Sequence, residues 1–133
     1  MKLIIHTDGG ARGNPGPAAI GLVIKDAKNK VVFQEGKCIG ETTNNQAEYQ
    51  ALVSALEHAL KLGGTEVACY LDSELVVKQV RGEYKVKDAS LAKQFLKIHN
   101  LKTKFKILSF HHIARERNRE ADALVNQALD GVL

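Results

Sequence analysis

With 133 residues, the chain has the length of one ordinary domain, which excludes a multidomain machine and predicts a single domain over residues 1–133. A hydrophobic share of 44% beside 26% charged residues is globular composition, too apolar for a disordered tail and too broken by charge for a membrane span. The net charge of +4 is unevenly placed: from Lys78 to Lys106, nine Lys and Arg face only Glu83 and Asp88, so a polyanion is a reasonable partner.

The N-terminus runs from one lysine straight into Leu3-Ile4-Ile5 without an export leader, and a cytoplasmic location is expected. Residues 2–7 (KLIIHT), 18–25 (AAIGLVIK) and 31–39 (VVFQEGKCI) read as three short strands. Their links are short enough for antiparallel pairing, with a hairpin turn from Asp26 to Lys30. Cys38 and Cys69 sit in apolar strand-like runs without CxxC spacing and read as buried free thiols. From Asn44 to Leu62 the period changes: Ala47, Ala51, Leu52, Ala55, Leu56, Ala59 and Leu60 recur at helical spacing, and Gly63-Gly64 closes the helix. Thr43 with Gln46 three residues on is a capping-box pattern, with Asn44 or Asn45 as alternative caps.

A fourth strand over 66–71 (EVACYL) leads into Asp72-Ser73 and a short helix through Gln79-Val80 that Gly82 ends. Residues 89–99 predict a helix and 105–113 a strand. Residues 118–129 predict a last helix with Ala121, Leu124, Val125 and Ala128 on its inner face. The order βββ-α-β-α-α-β-α implies an α/β fold: one mixed sheet, antiparallel over its first three strands and parallel later, covered by helices.

Four acids fall at element termini beside apolar faces. Asp8 closes the first strand ahead of Gly9-Gly10, Glu48 lies in the first turn of the long helix, Asp72 ends the fourth strand, and Asp122 lies in the first turn of the last helix. Singly, each has a structural explanation as a turn residue, a cap or a favourable charge at a helix N-terminus. If the fold brings them together they need a cation, because clustered carboxylates resist ionisation unless one neutralises them, and hard oxygen ligands suit Mg²⁺ or Mn²⁺ better than zinc.

The segments TDGGARGNPG, TNNQAEYQAL, LDSELVVKQV and NREADALVNQAL surround these acids in order. This set resembles ribonuclease H of type 1 over nearly the whole chain. The resemblance implies a five-stranded mixed sheet with helices on both faces. It also implies that Asp8, Glu48, Asp72 and Asp122 bind two divalent ions, Mg²⁺ with Mn²⁺ as a substitute, and hydrolyse the RNA strand of an RNA–DNA hybrid. Two such ions roughly 3.5–4 Å apart bind both sides of a scissile phosphate, one activating water and the other stabilising the departing 3′ oxygen. Products with 5′-phosphate and 3′-hydroxyl ends follow.

A Gly-rich backbone with asparagines can sense 2′-hydroxyls across a wide, shallow minor groove without reading sequence. By resemblance Asn14, Asn44, Asn45 and Gln46 line the hybrid groove and the backbone at Gly9, Gly10 and Ala11 meets RNA, with Ser73 beside Asp72 in the same set. The basic residues Lys78, Arg81, Lys85, Lys87, Lys93 and Lys97 suit sequence-blind phosphate binding, although solvated helix faces explain lysines equally well. In the segment before the last acid, FHHIARERN, relatives place a histidine or, in one subgroup, an arginine. Counting back without a gap favours His112, whereas the strand pattern buries one histidine and puts Arg115 in the loop. Arg115 is preferred, holding phosphate or departing product with its fixed fork rather than moving protons.

A monomer without an obligate protein partner or membrane contact is expected, and the resemblance leaves double-stranded RNA open as a second substrate. Two rivals remain. A non-catalytic nucleic-acid-binding module gains nothing from unshielded negative charge. An actin-like ATPase fragment lacks a second lobe and a GxxxxGK[ST] loop.

Overall fold

Leu3, Ile5 and Thr7 alternate with Ile4, His6 and Asp8 along the first strand, and this period of two decides which side of the sheet each side chain serves. In the computed structural model, which describes all 133 residues, that strand, β1 (Lys2–Ala11), is the centre of a five-stranded sheet. With β2 (Gly16–Asp26), β3 (Val31–Thr42), β4 (Glu66–Leu71) and β5 (Ile107–His112), the strand order is β3-β2-β1-β4-β5. β1, β2 and β3 pair antiparallel, and β1, β4 and β5 pair parallel, as the element order predicts.

Leu3, Ile5, Val67, Cys69 and Leu71 face one side of the sheet, where α1 (Asn44–Lys61), α2 (Glu74–Val80) and α3 (Ala89–Lys102) cover them in one core of 22 buried side chains. Fully burying each large aliphatic side chain there contributes about 1.5–3 kcal/mol. The Thr43 hydroxyl caps α1 by accepting the Gln46 N–H at 3.2 Å. On the opposite side α4 (Arg119–Leu129) crosses β1, β2 and β3, setting Val125 and Ala128 against Ala19. Gly21 and Gly36 pair across β2 and β3, and a Cβ on either would meet the Ala121 or Leu124 carbonyl, so this bare strip lets α4 lie close to the sheet.

Strand lengths differ from expectation in a way that shapes the site. Asp8 does not end β1: Gly9 and Gly10, which read as a break, stay in the strand because β2 continues to pair with them opposite Ile20 and Ala19. The parallel ladder to β4 stops one residue earlier, at Thr7 opposite Leu71. β1 therefore opens on one side only, and the opening faces the end of β4, the kind of switch point where α/β sheets bind ligands. β2 and β3 also exceed the expected strands, β5 is shorter, and α3 runs on to Lys102. Cys69 is buried as expected, but Cys38 is exposed because β3 is a sheet edge. No helix is long and apolar enough to cross a membrane.

Candidate active site

Asp8 and Asp72 are the first residues beyond the last paired rung between β1 and β4, so the fold sets them side by side. Glu48 reaches them from α1. It is the fifth residue of that helix, not a first-turn residue, and the helix can bring it in because Gly9 has no side chain: a Cβ there would collide with the Ala47 backbone. The Gly9 N–H donates to Glu48 Oε1 at 2.6 Å. One oxygen from each of Asp8, Glu48 and Asp72 lies within 4.8 Å of the others. Asp8 and Glu48 are only 9% and 8% exposed, which leaves little water to screen them.

Burial is the first cause of the electrostatic result. It pushes the Asp8 carboxyl from its ordinary 3.8 to about 7; the nearby Asp72 and Asp122 charges push the same way, and the hydrogen bond to Glu48 opposes them. Glu48 is raised well above the usual carboxylate range by burial and then by the Asp8 charge, with the Gly9 N–H opposing. Asp72 is raised by burial, while the Asn118 amide and the Arg115 guanidinium draw it down. Three carboxylates that resist ionisation together in one recess form a set of hard oxygen donors that a divalent cation relieves, and the residues fit Mg²⁺ or Mn²⁺.

Asp122 stands at the rim, outside the three-acid cluster but close enough to Asp8 to raise it. Its Oδ1 lies 3.7 Å from the Arg115 guanidinium. Arg115 lies in a 3-10 turn over Arg115–Arg117, not in an irregular loop, and lines the same cleft, whereas exposed His112 does not. His111 is half-buried, stacked on Tyr70, and bonded to Ser109 at 2.9 Å. Of the two alternatives before the last acid, the cleft wall carries Arg115.

The cleft of about 520 Å³ is also lined by Gly9, Gly10, Ala11, Asn44, Asn45 and Ser73. Ala11 donates its N–H to Asn44 Oδ1 at 2.8 Å, and Asn44 donates its own N–H to Asn14 Oδ1 at 2.9 Å, so exposed Asn14 braces the wall that Asn44 forms. Gln46 follows Asn45 on α1 and donates its backbone N–H to the Thr43 hydroxyl. Ser73, not Asp72, caps α2 by accepting from Val76, which leaves Asp72 free to face the cleft. Among the basic residues, Lys78 is held by Glu74 and Tyr84, and Arg81 by Glu83 and the Phe110 carbonyl, whereas Lys85, Lys87, Lys93 and Lys97 have no acidic partner.

Asn118 reads in the sequence only as the start of the last helix. In the fold it is 1% exposed, donating from Nδ2 to the Thr7 carbonyl at 2.8 Å and toward Asp72 Oδ2 at 3.4 Å. Those groups lie 111 and 46 residues away in the chain, so no local pattern marks the contact. Val125, Asn126 and Leu129 also line the cleft, brought in by the α4 crossing, and Arg12 joins them from the turn after β1.

A family profile described as Reverse transcriptase-like matches residues 6–128. The chain is similar to the RNase H1 from the halophilic archaeon Halobacterium salinarum NRC-1, with a TM-score of 0.96 at 41% identity over 98% of this chain and 99% of that one. It is similar to LC11-RNase H1, solved in complex with RNA/DNA hybrid, with a TM-score of 0.91 at 50% identity over 97% of each chain. It is also 45% identical over 131 residues to a bifunctional protein of Mycobacterium tuberculosis, covering 98% of this chain and 36% of that protein. The chain thus spans about a third of the length of the first curated relatives it matches.

Proposed function

Because the chain belongs to the ribonuclease H family, we propose that residues 1–133 work as one catalytic domain, an endonuclease that hydrolyses the RNA strand of RNA–DNA hybrids. The observation that carries this reading is the meeting of Asp8, Glu48 and Asp72, from three different elements, within one recess whose like charges call for a cation. The hybrid bound to a structural neighbour at 50% identity supports the substrate class.

In this reading Asp8, Glu48, Asp72 and Asp122 hold two Mg²⁺ ions, with Mn²⁺ as a substitute. When bound, such ions stabilise charge building on the scissile phosphate and make water a usable nucleophile near neutral pH. The chain's own residues do the rest. The Gly9 N–H fixes the Glu48 carboxylate, so its second oxygen keeps a constant direction. The backbone at Gly10 and Ala11, with Asn14, Asn44, Asn45, Gln46 and Ser73, offers donors and acceptors suited to 2′-hydroxyls and the RNA backbone, and Asn14 also steadies Asn44. Arg115, 78% exposed and beside Asp122, is free to swing onto a phosphate and hold the product's 5′ end with its planar fork. Lys85, Lys87, Lys93 and Lys97 supply a salt-sensitive grip on the duplex that reads no sequence. Cleavage leaves 5′-phosphate and 3′-hydroxyl ends.

The test is cleavage of a uniformly labelled hybrid, and of matched RNA–RNA and DNA–DNA duplexes, with Mg²⁺ and with EDTA. Mg²⁺-dependent cutting of the hybrid RNA strand, lost by several orders of magnitude in Asp72→Asn, is expected. Binding without cutting would favour the non-catalytic module.

A further inference from the structure

Where β1 and β4 part beyond Thr7 and Leu71, one side chain fills the gap, and it is neither a carboxylate nor apolar. Asn118 is buried there, and its orientation is set by the Thr7 carbonyl, which only accepts hydrogen bonds and so draws the NH₂ group toward itself and the neighbouring Asp72 Oδ2. The amide oxygen then points away and has no partner. An apolar side chain would fill the same space without that unpaired atom, so packing alone is a poor reason for asparagine here. The backbone of the same residue ties in two more parts of the site. Its carbonyl accepts the Asp122 N–H at 3.1 Å, and its N–H donates to the Arg115 carbonyl at 3.0 Å. One residue thereby links the strand that carries Asp8, the Asp72 carboxylate, the first turn of α4 and the Arg115 turn.

We propose that Asn118 is a positioning residue for the cation site, its amide holding the Asp72 carboxylate at a set place against β1 so that Asp72 and Asp8 are preset to share a divalent cation. The inference rests on the cation-site reading above. A neutral donor fits this role because it orients Asp72 without adding a positive charge that would compete with the ion. Asn118 does not line the cleft, so it acts through Asp72 and not on the substrate. Second-sphere partners of this type change metal affinity by about 10- to 100-fold when removed.

The experiment compares Asn118→Ser with wild type, because serine keeps a side chain favourable at a helix start but is too short to reach Thr7 and Asp72. Tyr49→Phe, which breaks a buried bond to Gln79 outside the cleft, controls for general loosening. Mg²⁺ and Mn²⁺ affinities of the hybrid-free proteins are measured by calorimetry well below each melting temperature, alongside kcat and KM for hybrid at saturating Mg²⁺. The expected result is metal binding at least about 10-fold weaker in Asn118→Ser only, with kcat lowered and KM for hybrid unchanged. Wild type that binds neither ion would remove the cation-site reading itself. Wild type that binds while Asn118→Ser binds equally well, or while both variants weaken alike, would overturn the positioning role alone. If Asn118→Ser does not fold, the wild-type side-chain amide decides by NMR: protected Asn118 protons that shift along the Mg²⁺ binding isotherm are expected, and unprotected, unshifted ones overturn the proposal.

Discussion

Asp8→Asn should make the cation-free protein more stable, and more so as pH rises. The Asp8 carboxyl is raised from 3.8 in the unfolded chain to about 7 in the fold. The native state therefore holds this proton between about pH 4 and 7 after the unfolded chain has released it, and stability is lost as pH rises through that window. At 1.36 kcal/mol per pH unit, the ceiling is about 4 kcal/mol. Sharing of the proton with Glu48 and residual solvent reduce the working expectation to about 2 kcal/mol. Asparagine cannot ionise and escapes the loss. For a chain of this size the melting-temperature gap between Asp8→Asn and wild type in EDTA should widen by about 5–10 °C from pH 4 to pH 8. Saturating Mg²⁺ at pH 8 should close much of it by stabilising wild type. A gap independent of pH, or a variant less stable than wild type at pH 8 in EDTA, would show that burial does not hold the Asp8 proton.

Other residues separate folding from chemistry. Gly9→Ala forces a Cβ into the Ala47 backbone and should cost about 2–4 kcal/mol in urea unfolding, with hydrolysis lost as Glu48 is pushed away. Tyr49→Phe leaves the buried Gln79 carbonyl oxygen without its 2.6 Å donor and should cost about 1–3 kcal/mol in the same assay, with the cleavage rate near that of wild type. Arg115→Ala should lower kcat about tenfold or more with little change in KM, since an Arg fork on a phosphate acts as a charge-assisted pair. His112→Ala should leave both near wild type in steady-state assays. The reverse ranking would return the role to His112.

The two periodicities made the fold readable. Alternation over residues 2–7 and helical spacing over 44–62 mark the first strand and the long helix, and the acids beside them. What the sequence hid is non-local. Gly9 and Gly10 carry the composition of a break, yet β2 keeps both in the strand, and at Gly9 only a residue without a side chain fits beneath α1. Cys38 has the apolar neighbours of a buried thiol but lies on an edge strand, and edge position depends on the order of strands across the sheet. Asn118 looks like a helix start because its hydrogen-bond partners arrive from β1 and from the end of β4. Asn14 shares a motif with wall residues, and its side-chain oxygen accepts the Asn44 N–H from 30 residues along the chain, a bond that no local pattern marks.

The most direct measurement is the anomalous signal of Mn²⁺ in crystals of the wild-type protein bound to a hybrid with a cleavage-resistant scissile linkage. Two peaks roughly 3.5–4 Å apart are expected, ligated by Asp8, Glu48, Asp72 and Asp122 and flanking one RNA phosphate. Peaks confined to other surfaces, or no manganese among these carboxylates, would contradict the two-cation site.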